Sequence, residues 1–392
     1  MKIAYPENVK KIAQILASAG HRAYAVGGCV RDSVMGKVPN DWDMTTSARP
    51  DEMLSVFDAA GIRTIPTGLK HGTVTVLLDG EQYECTSFRI DGEYSDSRHP
   101  DKVTFTSDVR DDLRRRDFTV NAMAGDPICD GDDGAIIDLF GGKKDIENKL
   151  IRCVGDANLR FREDALRILR AIRFATVLDF DIEESTKAAA RELCHTLDNV
   201  SIERKITELR KMLLSPFADR GVDLLFDIGA QKYIHPDAKS PCVPLSSLPE
   251  DFCCRLAALF GTDGAPALGS LKLSRLEEKN IKSFCSNELY RSENTPANAR
   301  YLLSVLGDCA EGAALLRGNV SLAQTIRKER EKSPCVTVAD LALDGNDLIL
   351  KGIPPREVGR AMQAMLDRVI QAPELNERNK LFEIISEIYK KT

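Results

Sequence analysis

Three groups of residues near the start of the chain have the types and spacing to do chemistry. The first is Gly27-Gly28-Cys29-Val30-Arg31-Asp32, placed where the apolar stretch Ala23 to Val26 gives way to a helical pattern. Paired glycines let backbone amides approach an anion closely. A helix start aims N–H donors and partial positive charge at that anion, and Arg31 can reach it too, so the group reads as a triphosphate cradle. The second is Asp41-Trp42-Asp43. On a strand, residues i and i+2 share a face, so both carboxylates converge while Trp42 turns towards the core. Such hard oxygen ligands suit Mg²⁺, and two ions held side by side can activate an attacking hydroxyl and stabilise a departing pyrophosphate. The third is Glu84, flanked by Tyr83 and Cys85. It is either a third carboxylate brought in by a second strand or a solvated residue on an edge strand. A Gly-Gly turn alone is commonly just a turn, and a lone DxD is commonly a pair of surface or capping residues. The coupling of one to the other carries the weight.

The elements that must position these groups alternate over the first 140 or so residues. An amphipathic helix (Val9, Ile12, Ile15, Leu16) precedes the strand Ala23 to Val26. Further strands are expected at Asp41 to Met44, Thr73 to Leu78 and Gln82 to Phe88, the last two joined by the turn Asp79-Gly80. From about Asp145 onward β signals nearly vanish, and helical periodicity runs through Glu163 to Val177 and Ile202 to Leu214. The Pro236 to Pro249 stretch, with four Pro and three Ser, reads as a loop. The charge run Arg327 to Lys332 before Ser333-Pro334 marks a second boundary. The fold class is therefore α+β: a small mixed sheet with helices, followed by an all-helical array without internal repeats.

Composition sets outer bounds. A chain of 392 residues, 43% hydrophobic and 29% charged, is globular and long enough for several packed units. It has no apolar run of about 20 residues and no signal-peptide pattern, so a cytoplasmic protein with no membrane partner is expected. Eleven scattered Cys without a CxxC pair read as reduced thiols, and five dispersed His exclude a His-rich metal site. The net charge of −6 counts against a polyanionic partner, but Lys143 to Arg173 holds nine basic residues against five acidic ones. A basic cleft on an acidic body can focus its field locally.

The order of motifs is more specific than any one of them. GGxVRD and DxD are followed by Gly68-Leu69-Lys70-His71-Gly72-Thr73, then by Arg114-Arg115-Arg116-Asp117-Phe118-Thr119-Val120-Asn121-Ala122. Glu163-Asp164-Ala165-Leu166-Arg167 comes next, and finally Ser201-Ile202-Glu203-Arg204 with Glu208-Leu209. This series resembles the class II tRNA nucleotidyltransferases, within the superfamily that includes the poly(A) polymerases, over residues 20 to 215, with a fainter echo in the tail. The resemblance implies a nucleotidyltransferase palm followed by helical neck, body and tail, with boundaries at 1–144, 145–215, 216–332 and 333–392. It further implies template-independent addition of CCA to the tRNA 3′ end from CTP and ATP. Metal binding would fall to Asp41 and Asp43, with Glu84 as the added catalytic candidate. Nucleotide contacts would come from Gly28, Arg31, Arg116, Asp164, Arg167, Arg170 and Arg173, with Asp117 and Asn121 in a stretch that recognises ribose. The tail would grip the tRNA. Nothing in the sequence sets the oligomeric state.

In that context Asp164, Arg167, Arg170 and Arg173 are expected to form one helical ridge, with Leu166, Leu169 and Ile172 packed inward. Cytosine and adenine both present a donating exocyclic amine beside an accepting ring nitrogen, which a carboxylate and a guanidinium complement. Uracil and guanine present the reverse, and a site built on buried hydrogen bonds can reject such a mismatch by ~10⁴. The polar loop Asp91 to Pro100 is the candidate mobile element, and its full length favours complete CCA addition. The alternatives are an enzyme that adds only A, a bacterial poly(A) polymerase and, from another class, a non-catalytic RNA-binding protein. The last predicts loss of the acidic pair, which is present.

Overall fold

The computed structural model describes residues 3–92, 103–129, 136–262 and 268–390, with side chains to 387. The chain divides into two compact units, Met1–Ile234 and His235–Thr392.

The first unit begins with α1 (Glu7–Ser18), which buries Val9, Ile12, Ala13 and Leu16 along one face, as the 3.6-residue period requires. Its partner is a seven-stranded sheet. In chain order the strands are β1 (Ala23–Val26), β2 (Met44–Thr46), β3 (Thr64–Gly68), β4 (Thr73–Leu78), β5 (Glu81–Ser87), and, as numbered along the chain, β8 (Met123–Gly125) and β9 (Ile136–Asp138). The short strands β6 (Arg89–Asp91) and β7 (Val103–Phe105) form a separate ladder. Spatial order is β3-β4-β5-β2-β1-β8-β9. Only the β2–β5 pairing is parallel, which makes the sheet mixed. The turn between β4 and β5 has Asp79 at φ 51° and Gly80 at φ 82°, the left-handed pair that matches the twist of a two-residue hairpin.

Most strand expectations hold to within a residue or two, with two differences. β2 starts at Met44, so Asp41 to Asp43 lie in the segment leading into it, although the Asp43 carbonyl still accepts from the Val26 N–H at 2.9 Å. The sheet is also wider than the sequence suggests, and at one edge the unexpected strand is β3, which has no buried–exposed alternation to announce it. Strands β8 and β9 have three residues each, too few to show a period of two, and they extend the sheet beyond β1.

Helices α2 (Gly28–Val34), α3 (Pro50–Ala59), α4 (Val109–Arg114) and α5 (Gly142–Glu147) complete the α/β part. After it come α6 (Ala157–Glu163), α7 (Leu166–Leu178), α8 (Glu184–Leu193), α9 (Ile202–Leu213) and α10 (Ala218–Ile228), with a two-residue ladder of β10 (Leu150–Ile151) and β11 (Asp181–Ile182). The expected helix Glu163 to Val177 is thus two helices broken at Asp164. There φ is −144°, and the carboxylate accepts the Leu166 N–H at 3.0 Å. A side chain that captures a backbone donor in this way starts a helix rather than continuing one.

Helix α7 is the spine of this part. It buries Leu166, Ile168, Leu169, Ala171, Ile172 and Ala175. Gly221 lets α10 approach it closely, since a Cβ there would stand 2.6 Å from both Thr176 Oγ1 and Met212 Cγ.

The second unit is helical among its described residues, from α11 (Phe252–Ala258) to α18 (Arg378–Lys390). The Pro236 to Pro249 stretch is a loop with one short 3₁₀ turn, Leu245–Ser247. The C-terminal segment has its own apolar cluster, including Leu348, Met365, Val369 and Leu381. Arg300 ties this cluster to the rest of the unit by donating to the Ile370 and Gln371 carbonyls and to Glu329 at 2.7 Å.

Eight of the eleven Cys are buried, and all are free thiols. Among the described residues no helix is long and apolar enough to cross a membrane.

Gly221→Ala should destabilise the first unit by about 1 to 3 kcal/mol through overpacking against α7 and α9. Urea unfolding monitored by circular dichroism measures this; an unchanged midpoint would show that the helices can part at no cost.

Candidate nucleotide and metal site

The strand β1 ends in Gly27, whose φ of 80° opens the turn into α2. A side chain there would be strained by the backbone and would meet Arg116 Nη1 at 3.3 Å. Gly28 opens α2, and Arg31 follows one turn later with its side chain buried. Arg31 donates to Asp32 at 2.9 Å and to Asn121 Oδ1 at 2.7 Å.

The acidic group forms by register. Met44 pairs with Cys85 in the parallel β2–β5 ladder, so Asp43 and Glu84, one residue earlier on each chain, stand beside one another. Trp42 turns the other way and packs half-buried against Tyr5, with ring centroids 5.6 Å apart. Asp41, Asp43 and Glu84 remain solvent-accessible. Protein surrounding Asp43 at longer range raises its pKa by desolvation, and Glu84 and Asp41 push it further in the same direction against the opposing pull of Arg116. Accessibility together with desolvation is what the floor of a cleft would experience. The carboxylates therefore carry surplus negative charge, and their oxygens are hard donors, so the set fits a divalent cation. Among the described residues no group of three His, Cys, Asp or Glu closes around an ion.

The helical side of the site is built on Asp117. Its carboxylate is held by the Phe118 N–H at 2.9 Å and by Arg170 Nε at 2.7 Å, with Asn121 Nδ2 at 3.4 Å. Burial opposes its ionisation, but Arg170 and Arg167 outweigh burial and bring the pKa down to about 2. Arg31, Arg170 and Arg173 gather round the Phe174 ring at 5.4, 5.2 and 3.8 Å from its centroid. Arg173 pairs with Glu208 at 2.7 Å, and burial lowers its pKa to about 10 despite that carboxylate.

Asp164 and Arg167 do not share a ridge, because Asp164 sits ahead of α7. Each takes a different partner. Asp164 accepts from Arg204 at 2.7 and 3.4 Å. Arg167 pairs with Glu163 and donates to the Arg160 and Arg115 carbonyls at 3.2 and 3.1 Å. Glu163 and Arg204 stood in the sequence only as members of motifs. Nothing in the spacing links Arg204 to Asp164, 40 residues away. Of the candidate mobile element Asp91 to Pro100, Asp91 ends β6, and residues 93–100 lie outside the described residues.

The folded pKa of Asp117 lies below its unfolded value, so its stabilising contribution is complete above about pH 4 and is lost as pH falls towards 2. Asp117→Asn should therefore cost roughly 2 to 3 kcal/mol at neutral pH. The gap to the native protein should narrow on acidification below pH 4. Parallel urea titrations at pH 7 and pH 3 read this, and a gap independent of pH would contradict it.

Comparison with known proteins agrees with this architecture. A family model described as "Poly A polymerase head domain" matches residues 23–152, and one described as "Probable RNA and SrmB- binding site of polymerase A" matches residues 179–241. The CCA-adding enzyme of Limosilactobacillus fermentum is 33% identical over 98% of this chain and 97% of its own length. The CCA-adding enzyme of Streptococcus sanguinis is 40% identical over 70% of this chain, a match spanning 65% of that protein. The crystal structure of the Bacillus stearothermophilus CCA-adding enzyme in complex with CTP superposes with a TM-score of 0.80 at 31% identity, covering 97% of each chain. With a shared sheet, a shared helical remainder and relatives aligned end to end, the chain belongs to the CCA-adding enzyme family of tRNA nucleotidyltransferases.

Proposed function

We propose that this protein adds C, C and A to the 3′ end of tRNA from CTP and ATP, releasing pyrophosphate, with Mg²⁺ as cofactor and no nucleic-acid template. The observation that carries the reading is the state of Asp164 and Arg167. Both are held by protein partners, yet neither is saturated. Asp164 accepts three hydrogen bonds where a carboxylate offers about four sites, and the bonds of Arg167 engage three of its five N–H groups. What remains is one acceptor and two donors, the complement of the edge that cytosine and adenine share.

In this reading Asp41 and Asp43 hold Mg²⁺, with Glu84 adding negative charge beside them. Bound there, the ion supplies Lewis-acid activation of the tRNA 3′-hydroxyl and neutralises charge on the leaving pyrophosphate. The Gly28 amide, Arg31 and Arg116 receive the triphosphate. Arg170 and Arg173, anchored to Asp117 and Glu208, add positive charge beside Arg31. Asp164 accepts from the exocyclic amine of the base and Arg167 donates to its ring nitrogen. Residues 1–144 act as head, 145–215 as neck, 216–332 as body and 333–392 as the tRNA-binding tail, in the cytoplasm.

Incubation with tRNA lacking its 3′ end, CTP and ATP should extend the primer by three nucleotides. No extension of that primer, with one A added to tRNA already ending in CC, would identify an A-adding enzyme, and a long ladder a poly(A) polymerase. Asp43→Ala should abolish incorporation while tRNA still binds; full activity would remove these carboxylates from the mechanism. Asp164→Ala and Arg167→Ala should each erode the preference for CTP over UTP, on the order of a hundredfold. Unchanged selectivity would refute base readout by these side chains.

A further inference from the structure

One carboxylate behind the site has no part in the mechanism above. Asp112, on α4, is wholly excluded from water. A buried charge persists only when it is paired and hydrogen-bonded, and here two arginines divide its oxygens between them. Arg115 takes Oδ1 with a two-pronged grip, Nε at 3.0 Å and Nη2 at 2.7 Å. Arg116 reaches Oδ2 through Nη2 alone, at 3.0 Å, and Thr45 Oγ1 approaches the same oxygen at 3.3 Å.

Arg115 also reaches Asp91 at 3.4 Å, so its charge is shared. Burial opposes ionisation of Asp112, and Arg116 and Arg115 together outweigh burial and lower its pKa. Both arginines hold the carboxylate, but with unequal grips. Gripped by one terminal nitrogen, Arg116 turns its other one, Nη1, to the Gly27 turn. Its Nε is buried with no hydrogen-bond partner, and 20% of the side chain remains open to solvent. Thr45 belongs to β2, two residues beyond Asp43, so the same carboxylate also fixes α4 against the strand that follows the acidic pair.

Building on the reading of Arg116 as a nucleotide contact, we propose that Asp112 is its positioning residue. It holds one end of the guanidinium so that the other faces the joint between the glycine turn and the catalytic carboxylates. Asp112 does not touch the nucleotide; it acts through Arg116.

Steady-state kinetics of Asp112→Asn, Arg116→Ala and the double variant in the full chain test this, alongside thermal melting of each. Asp112→Asn keeps the shape and removes the charge. The expected result is a KM for CTP and for ATP about tenfold higher, measured well below the melting temperature, and no further rise when the change is added to Arg116→Ala. Should the Asn variant not fold, Asp112→Glu keeps the charge but displaces the grip by one methylene, and the same rise in KM is expected. Effects that add in the double variant, or a lowered melting temperature with KM unchanged, would overturn the proposal. Normal kinetics in Arg116→Ala would instead refute the nucleotide role of Arg116, and the positioning role with it.

Discussion

The carboxylate of Asp117 is the constraint on which the rest of the site depends. It is buried where the α/β part meets the helices, and it joins them by accepting from Arg170 on α7 and from Asn121, which in turn accepts from Arg31 on α2. A charge in such a place is tolerable only with its partners in position, so the pair specifies one arrangement of the two parts. The residues assigned to phosphates and those assigned to the base consequently belong to one body. A site that reads a base with side chains needs that rigidity, because an error of an ångström in the position of a hydrogen-bonding group would remove the discrimination.

Charge is distributed with the same economy. The chain is acidic overall, yet its arginines concentrate round the site, and nearly every one there has an anchoring carboxylate: Asp32, Asp112, Asp117, Glu163 and Glu208. Anchoring fixes direction without using up the donors of a five-donor group. Opposite them, Glu84 and Asp41 repel the charge on Asp43, and Arg116 opposes that repulsion. On the proposed reading, the arginines receive phosphate and the carboxylates receive the cation.

Much of this was legible in the sequence because it is local. The Gly27-Gly28 turn, the hairpin at Asp79-Gly80 and strands β1 and β4 are written in adjacent residues, and the structure follows them closely. Base-reading candidates could be named from their motif, but their geometry could not. Asp164 looked like the first residue of a helical ridge, and the local capture of the Leu166 N–H took it off the helix. Pairings made by the fold were invisible: Asp164 with Arg204, Asp117 with Arg170, and the division of Asp112 between two neighbours. Strands of three residues, β8 and β9, were missed because their period cannot be counted in so short a span.

If protein side chains stand in for a template strand, a crystal structure of this chain with CTP should show it. The cytosine amine is expected within hydrogen-bonding distance of Asp164 and the ring nitrogen within reach of Arg167, with the Asp117–Arg170 pair undisturbed. A base bound elsewhere, with Asp164 and Arg167 still turned only to Arg204 and Glu163, would contradict it.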